Sequence, residues 1–293
     1  MAGWVVGVIG GSGLYEIEGL QGASWEKVES SFGEPSDAVL TGRLGHVRLV
    51  FLPRHGRGHH LPPTAVNARA NIEVLKRSGC TDIVSLSAVG SLRESLSPGD
   101  FVVVDQFIDR TFARENSFFG PGLAAHVSMA EPVCPRISAL AAQAARTTGA
   151  RVVEGGCYLA MEGPQFSTKA ESALYRSWGC DVVGMTNMPE AKLAREAELP
   201  YASVAMVTDY DCWHEEFSHV EVSQILAVLG ANAAKARALV VELARSLPPL
   251  RPPSPIDTCL DGALITAPPA RDPALMAKLA VIAGRALGAV QIG

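Results

Sequence analysis

The chain has 293 residues, of which 48% are hydrophobic and 19% are charged, and its net charge is −5. This composition is typical of a soluble globular protein with enough apolar surface for a core. Neither nucleic acid nor a membrane is expected as a partner, because the chain lacks a basic patch, a run of roughly 20 apolar residues and the features of a signal peptide.

Six cysteines are scattered along the chain without a close pair. Their spacing fits neither a zinc site nor a disulfide framework. Free cysteines beside apolar residues behave as small hydrophobic side chains. A reducing cytoplasm is therefore the expected location.

The first predicted strand, residues 4–9, runs into the glycine-rich segment 10–13, which contains Ser12. Glycines after a strand let backbone N–H groups approach an anion. A dinucleotide fingerprint would need a third glycine and a following helix, and Leu14 to Glu16 supply neither. NAD is therefore excluded, while a phosphate loop and an ordinary glycine turn both remain open.

A hairpin is predicted over residues 38–52, and its second strand ends in the sequence Pro-Arg-His-Gly-Arg-Gly-His-His at 53–60. Arginine offers a forked set of donors to an oxyanion, so Arg54 and His55 favour a phosphate site. The alternatives are a metal site, which the intervening glycines disfavour, and a solvated loop.

Strands and helices alternate along the rest of the chain. Thr64 and Thr168 are expected to cap two of the helices, and residues 109–135 form a long irregular loop, a feature that is usually functional or interfacial. Strands are predicted at 82–87, 101–108, 151–161, 181–186 and 201–207, and helices at 65–78, 137–147, 169–178, 187–196, 220–247 and 273–287.

This alternation predicts an α/β fold, a central β-sheet flanked by helices. Length would allow about two domains, but α/β folds of this size are often single. The main domain is assigned to residues 1–247. Residues 248–293 are read as a proline-rich linker and a C-terminal helix that packs on the same domain.

Polar side chains follow several of the predicted strands, and two carboxylates, Asp209 and Asp211, follow the strand at 201–207. Ligands of open α/β sheets bind beyond the carboxyl ends of the strands, although an aspartate there could also be a helix N-cap. Recurrence of such residues predicts one composite site that contains Ser12, Arg54, His55, Ser87, Thr186 and Asp209.

The chain resembles the trimeric purine nucleoside phosphorylases from residue 5 to about 245. The resemblance lies in the motifs GGSG at 10–13, PRHG at 53–56, NARAN at 67–71, SLR at 91–93, DQFIDRT at 105–111, EGPQFS at 162–167, MT at 185–186 and TDYDCW at 208–213. It implies a single domain with a mixed, twisted sheet. It also implies a homotrimer or a dimer of trimers, to which the loop at 109–135 would contribute.

The resemblance implies a phosphorolysis in which phosphate displaces adenine from 5′-methylthioadenosine, giving 5-methylthioribose 1-phosphate, with phosphate as co-substrate and neither cofactor nor metal. By position, the phosphate site comprises Ser12, Arg54, His55, Ser87, Ala88 and Thr186. The nucleoside site comprises Met185 under the ribose, Phe166 against the base, Asp209 and Asp211 at N7 and the 6-amino group, Val220, Val222 and Ile225 around the methylthio group, and His126 reaching a neighbouring subunit.

The chemistry suits these residue types. A carboxylic acid beside N7 can protonate the departing purine, and this role of Asp209 requires burial to raise its pKa. A carboxyl group also accepts from a 6-amino group, whereas a carboxamide could donate to a 6-oxo group. Asp209 therefore favours aminopurines, and Asp209 and Asp211 are the predicted catalytic residues.

Four alternatives remain open. One is a phosphorylase for 6-oxopurine nucleosides, including methylthioinosine, and a second is a nucleosidase that uses water. A third is a nucleoside-binding protein without turnover. The last is a zinc site at His214 and His219, which is disfavoured because its spacing is H-E-x-x-x-H and not H-E-x-x-H.

Overall fold

The structure is a computed structural model that describes residues 3–11, 13–214 and 222–288, with only the backbone described at 222–227. Ser12 and Val220, and the side chains of Val222 and Ile225, lie outside the described residues. The roles predicted for these four residues therefore stay predictions.

The described part of the chain forms one mixed sheet of eleven strands. Its main order is β2-β3-β4-β1-β5-β10-β9-β7, while β11 pairs with β5 and β6, and β6 also pairs with β8. The strands are β1 Val5–Gly10, β2 Gln21–Glu26, β3 Val39–Leu44, β4 Val47–Pro53, β5 Asp82–Ser91, β6 Phe101–Val104, β7 Gln106–Arg110, β8 Val152–Glu154, β9 Cys157–Met161, β10 Val182–Gly184 and β11 Tyr201–Asp209.

Helices cover both faces of this sheet. They are α1 Ala68–Arg77, α2 Pro135–Arg146, α3 Lys169–Ser177, α4 Asn187–Glu196, α5 Val222–Ser246, α6 Pro273–Lys278 and α7 Ala280–Leu287. Ile137 of α2 and Leu239 of α5 share one core with Val84 of β5. Ile72 of α1 and Leu193 of α4 belong to a second core. The predicted α/β fold with a mixed central sheet and flanking helices is confirmed.

Among the described residues, no helix combines the length and apolar character needed to cross a bilayer.

Two predicted strands are each divided in the structure. The segment 101–108 breaks at Asp105, and the segment 151–161 breaks at the glycine pair Gly155 and Gly156. The Asp105 carboxylate accepts from the Gly156 amide at 2.9 Å, and both glycines have positive φ, 83° and 143°. β6 and β8 therefore pair with each other, whereas β7 and β9 form a second parallel pair.

The start of the first helix also differs from the prediction. Thr64 lies in a short 3-10 turn, and α1 begins four residues later with Asn67 as its N-cap, whose side chain accepts from the Ala70 amide at 3.1 Å. The Thr64 hydroxyl instead donates to Glu162 at 2.8 Å. The predicted cap at Thr168 is confirmed, because its side chain and that of Glu171 form a capping box.

Two further differences concern the ends of the chain. β2 was not predicted, because all six of its residues are exposed and show no apolar alternation. The helix predicted at 273–287 is two helices that meet at Leu279. Leu279 and Ile282 are buried in the core that also holds α1 and α4, so the tail contributes to the hydrophobic interior.

Arg251 fixes the tail to the sheet. Its guanidinium contacts Asp82 at the start of β5 at 2.5 Å and Asp257 of the tail at 2.7 Å. Arg136 is a second partner of Asp82, whose side chain is fully buried. Burial raises the pKa of Asp82 in spite of its two arginines, so losing one arginine leaves a poorly compensated buried charge.

Replacing Arg251 with methionine is expected to lower the free energy of unfolding by roughly 2 to 4 kcal/mol, since removal of one partner of a buried ion pair is strongly destabilising. Urea denaturation measures the change. The matched control is Arg245→Met, which removes an exposed pair with Glu242 and should cost at most about 0.5 kcal/mol. Equal effects of the two substitutions would contradict the role given to Arg251.

Candidate active site

Several of the predicted site residues lie along one edge of the sheet. β1 runs parallel to β4 and β5, and β5 runs parallel to β11, so these four strands end in the same direction. The Arg54 amide donates to the Gly10 carbonyl at 2.9 Å, and Ser87 and Gly90 of β5 lie opposite Ala205 and Asp209 of β11. The structure therefore brings Arg54, Ser87 and Asp209 to one edge.

Arg54 is held by a buried carboxylate that the sequence analysis did not identify. Its Nε and Nη2 atoms donate to the two oxygens of Glu190 at 2.9 and 3.2 Å, and its Nη1 donates to the Leu86 carbonyl at 3.0 Å. Burial opposes the charge of Arg54, but the Glu190 carboxylate outweighs it and raises the pKa of Arg54. The guanidinium thus has a fixed orientation, and with Thr186 and Glu190 it lines a small cavity.

His55 is neutral at pH 7. Burial and the adjacent Arg54 charge lower its pKa to about 4. Its Nδ1 lies 2.9 Å from the Leu61 carbonyl, and its ring stacks on His59 with centroids 4.3 Å apart. Because a carbonyl oxygen only accepts, Nδ1 carries the proton and Nε2 is an acceptor.

The other residues predicted to bind phosphate meet at β5 and the start of α4. Ser87 is buried and donates to the Asn187 side chain at 3.0 Å, whereas Ala88 is exposed. Thr186 precedes α4, and its amide lies 3.5 Å from the hydroxyl oxygen of Tyr158. The pKa of Tyr158 is raised by burial, and Thr186 and Ser87 both lie close enough to influence it, so these side chains adjoin one another.

Asp209 and Asp211 occupy the end of β11. The Asp209 carboxylate accepts from the Thr208 hydroxyl and from the Asp211 amide, both at 2.7 Å. This turn, with φ of 52° at Asp211, ends well before α5 begins at Val222. The two aspartates therefore do not act as the N-cap of α5. Burial raises the pKa of both aspartates. One Asp211 oxygen is buried and makes no well-aligned hydrogen bond among the described residues, although the hydroxyls of Ser172 and Ser167 lie close enough to offset part of the effect of burial on the pKa of Asp211.

Phe166 and Met185 follow the β9 and β10 strands. The Phe166 side chain is 53% exposed, which leaves one of its faces available to a ligand. Met185 lies against Gly163, where an added Cβ would be 2.5 Å from the Met185 sulfur and where φ is 69°. Only glycine fits this position, so the 162–167 motif packs closely against Met185.

Arg114 and Glu162 are site residues that the sequence analysis missed. Arg114 donates to the Met185 carbonyl at 2.6 Å and to the Met188 carbonyl at 2.8 Å, and its side chain is 6% exposed. Burial opposes ionisation of Glu162, but the amide of Phe112 and the guanidinium of Arg114 outweigh it and hold the pKa of Glu162 at about 2.

Only a weak signal could have identified these two residues. Glu162 belongs to a motif that was quoted, but it received no role, and Arg114 lies in the irregular loop without a motif. Together they fix that loop to the segment that carries Met185 and Thr186.

His126 lies apart from this group in the fold of one chain. Its side chain is exposed, and its amide donates to the Ala263 carbonyl of the tail at 2.9 Å. Within the described ranges, no group of three or more His, Cys, Asp or Glu side chains could hold a metal ion.

Residues 5–245 match the model of the phosphorylase superfamily, and the chain belongs to that family. It is 63% identical over 285 residues to the S-methyl-5′-thioadenosine phosphorylase of Cereibacter sphaeroides, covering 97% of this chain and 98% of the relative. It is 57% identical to the protein of the same name from Bradyrhizobium diazoefficiens, again covering 97% and 98%.

Solved structures agree with this family. The fold matches a methylthioadenosine phosphorylase from an antarctic soil metagenomic library with a TM-score of 0.91 at 43% identity, covering 96% and 99% of the two chains. It matches methylthioadenosine phosphorylase from Schistosoma mansoni in complex with adenine with a TM-score of 0.78 at 38% identity, covering 96% and 98%.

The lowered pKa of His55 predicts a pH dependence of stability. Because the folded pKa of about 4 lies below the ordinary histidine value of 6.5, the unfolded chain binds more protons between these values. The free energy of unfolding therefore falls as the pH drops from 6.5 to 4, with up to about 3 kcal/mol from this residue. His55→Asn should flatten the profile in this window, measured by urea denaturation at several pH values.

The control for this measurement is His46→Asn, at an exposed histidine. Its profile should follow that of the unmodified protein. If His55→Asn loses as much stability between pH 6.5 and 4 as the unmodified protein does, the lowered pKa of His55 is not the cause of that loss.

Proposed function

We propose that the protein catalyses the phosphorolysis of 5′-methylthioadenosine to adenine and 5-methylthioribose 1-phosphate. One observation carries the proposal: Asp209, a half-buried carboxyl group whose pKa is raised by desolvation, ends the strand that pairs with the strand of Ser87. The names of the relatives at 63% and 57% identity support the same substrate.

The spacing of the site suits a nucleoside and an anion side by side. Asp209 lies opposite Gly90, three residues beyond Ser87 on β5. Since a strand rises about 3.3 Å per residue, the two ends of the site are about 10 Å apart. A Cβ at Gly90 would come within 3.0 Å of the Asp209 carboxylate, so this position keeps space beside the acid.

Asp209 provides the acid for purine departure. Cleavage of the C1′–N9 bond places positive charge on the sugar and negative charge on the purine, and a carboxyl group with a raised pKa can donate its proton to N7. Phosphate then forms the new C1′–O bond. The proton released by the resulting phosphate ester restores the carboxyl group, so charge and protons balance over the cycle.

The phosphate end supports the reaction by preorganisation. Arg54 is oriented by Glu190, and neutral His55 and buried Ser87 place polar atoms beside it without a second full charge. Fixed dipoles and charges need no rearrangement when charge develops in the transition state. A water nucleophile would need no such anion site, which favours phosphorolysis over hydrolysis.

The base end favours an aminopurine. Asp209 donates to N7 in this scheme, and the buried Asp211 oxygen that makes no well-aligned hydrogen bond among the described residues can accept from a 6-amino group. A 6-oxo group would place its acceptor oxygen against another acceptor. We therefore propose adenine, and not hypoxanthine, as the base that is released.

The test is release of purine from methylthioadenosine, adenosine, inosine and methylthioinosine, each with and without phosphate. We expect adenine from methylthioadenosine, and only with phosphate. Asp209→Asn should lower kcat by about 10²- to 10⁴-fold and still bind methylthioadenosine. The control is Asp261→Asn, at an exposed aspartate of the tail, which should keep normal kcat.

Each other outcome identifies a different error. Release without phosphate would make the protein a nucleosidase, and preference for hypoxanthine substrates would show that the base pocket is wrongly assigned. Binding without any turnover would support a nucleoside-binding protein instead.

We also propose that the protein is a homotrimer or a dimer of trimers. Phe112 supports an interface, because its side chain is 84% exposed although its amide is fixed to Glu162 at 2.7 Å. His126, on the same loop, is also exposed.

Light scattering tests this assembly. The expected mass is three or six times that of the chain, and Phe112→Glu should shift it towards the monomer because a charge would be buried at the interface. The control is Leu250→Glu, at a 52% exposed position of the tail, which should keep the mass. A fully active monomer before any substitution would contradict the proposal.

A further inference from the structure

A chain of hydrogen bonds connects the partner of Arg54 with Ser87 through the interior. The Tyr201 hydroxyl lies 2.7 Å from Glu190 Oε1, the Asn187 Nδ2 atom lies 3.0 Å from the Tyr201 oxygen, and the Ser87 hydroxyl lies 3.0 Å from Asn187 Oδ1. All four side chains are at most 4% exposed. We name Glu190, Tyr201, Asn187 and Ser87 the relay.

The chemistry of Glu190 fixes the direction of every bond in the relay. A carboxylate only accepts, so the Tyr201 hydroxyl must donate to Glu190. The Tyr201 oxygen is then left as an acceptor, and Asn187 must turn its NH₂ group towards it. This orientation places Asn187 Oδ1 against Ser87, so the Ser87 hydroxyl must donate to Asn187.

A flipped Asn187 amide would be costly. Nδ2 also donates to Ser203 at 2.5 Å, but a serine hydroxyl can serve as donor or acceptor and would tolerate either orientation. Tyr201 would not tolerate the flip, because Asn187 Oδ1, an acceptor, would then face the Tyr201 oxygen, whose hydrogen is already donated to Glu190. Tyr201, and not Ser203, is therefore the residue that sets the orientation.

We propose that Tyr201 and Asn187 are positioning residues for the phosphate co-substrate, which fix the Ser87 hydroxyl so that it presents a lone pair, and not its hydrogen, to the anion. This inference rests on the proposed function, in which Ser87 belongs to the phosphate site. The Ser87 oxygen can then accept a hydrogen bond from an anion that carries a proton, but it cannot donate one to an anion without a proton.

The consequence is a preference for a protonated oxyanion. Monohydrogen phosphate carries one P–OH group, which can donate to the Ser87 oxygen, while its other oxygens remain for Arg54 and for attack on the sugar. Sulfate is similar in size and charge but has no hydrogen, so its oxygen would face the Ser87 lone pair. The Ser87 oxygen has two lone pairs, so one remains for the anion even when the adjoining Tyr158 hydroxyl donates to the other.

Tyr201→Phe tests the inference, because it frees the Asn187 amide to turn and lets Ser87 donate. The measured quantity is the ratio of the inhibition constant of sulfate to the KM of phosphate. Relative to the unmodified protein, we expect this ratio to fall about threefold to tenfold, the effect of one hydrogen bond. The KM of methylthioadenosine should stay unchanged, since the base site is at the other end.

Ser203→Ala is the matched control. It also removes one partner of Asn187 Nδ2, but it leaves the Tyr201 bond that sets the orientation. Its sulfate-to-phosphate ratio should equal that of the unmodified protein. In a Ser87→Ala background, Tyr201→Phe should cause no further change of the ratio, because the hydroxyl that distinguishes the two anions is already absent.

The outcomes separate this inference from the proposed function. If Tyr201→Phe is folded and active but keeps the original ratio, or if Ser203→Ala lowers the ratio equally, the relay does not position phosphate. If the unmodified protein releases adenine without phosphate, the proposed function fails. The stabilisation of the unmodified protein and of Tyr201→Phe by phosphate and by sulfate, measured as shifts in Tm, then tests the relay without catalysis.

Discussion

The buried ion pair of Arg54 and Glu190 is the interaction on which the rest of the site depends. It joins the end of β4 to α4, and Glu190 also accepts from Ser85 of β5 at 2.6 Å and from Tyr201 of β11 at 2.7 Å. Four elements therefore meet at one carboxylate. Because a buried charge must be compensated, these elements hold a common geometry before any ligand binds.

A second buried pair, Arg114 and Glu162, fixes the position of the loop between β7 and α2. Its donors fix that loop to Met185, next to the start of α4. Both pairs contact α4, through Glu190 and through the Met188 carbonyl, so the segments that carry Arg54 and Met185 share one support. The exposed Phe112 lies on the same loop, two residues from the buried Arg114.

Sequence reasoning found the elements and the polar residues that follow the strands, because apolar periodicity and local composition are read along the chain. It identified Arg54, Asp209 and Thr186 as members of one edge, and the structure places them there. It missed Glu190 and Tyr201, since a glutamate in a helix and a tyrosine at the start of a strand are ordinary residues in their local context. Their roles arise from partners more than ten residues away along the chain.

The sequence by itself determined the α/β class, most strands and helices, and the chemical types at the strand ends. Tertiary structure alone decided where the strands at Asp105 and Gly155 divide, that β2 forms, and which carboxylate compensates Arg54. It also decided the direction of the hydrogen bonds from Glu190 to Ser87. The physical reason is that propensity and periodicity are local properties, whereas burial, pKa and bond direction depend on groups that only folding brings together.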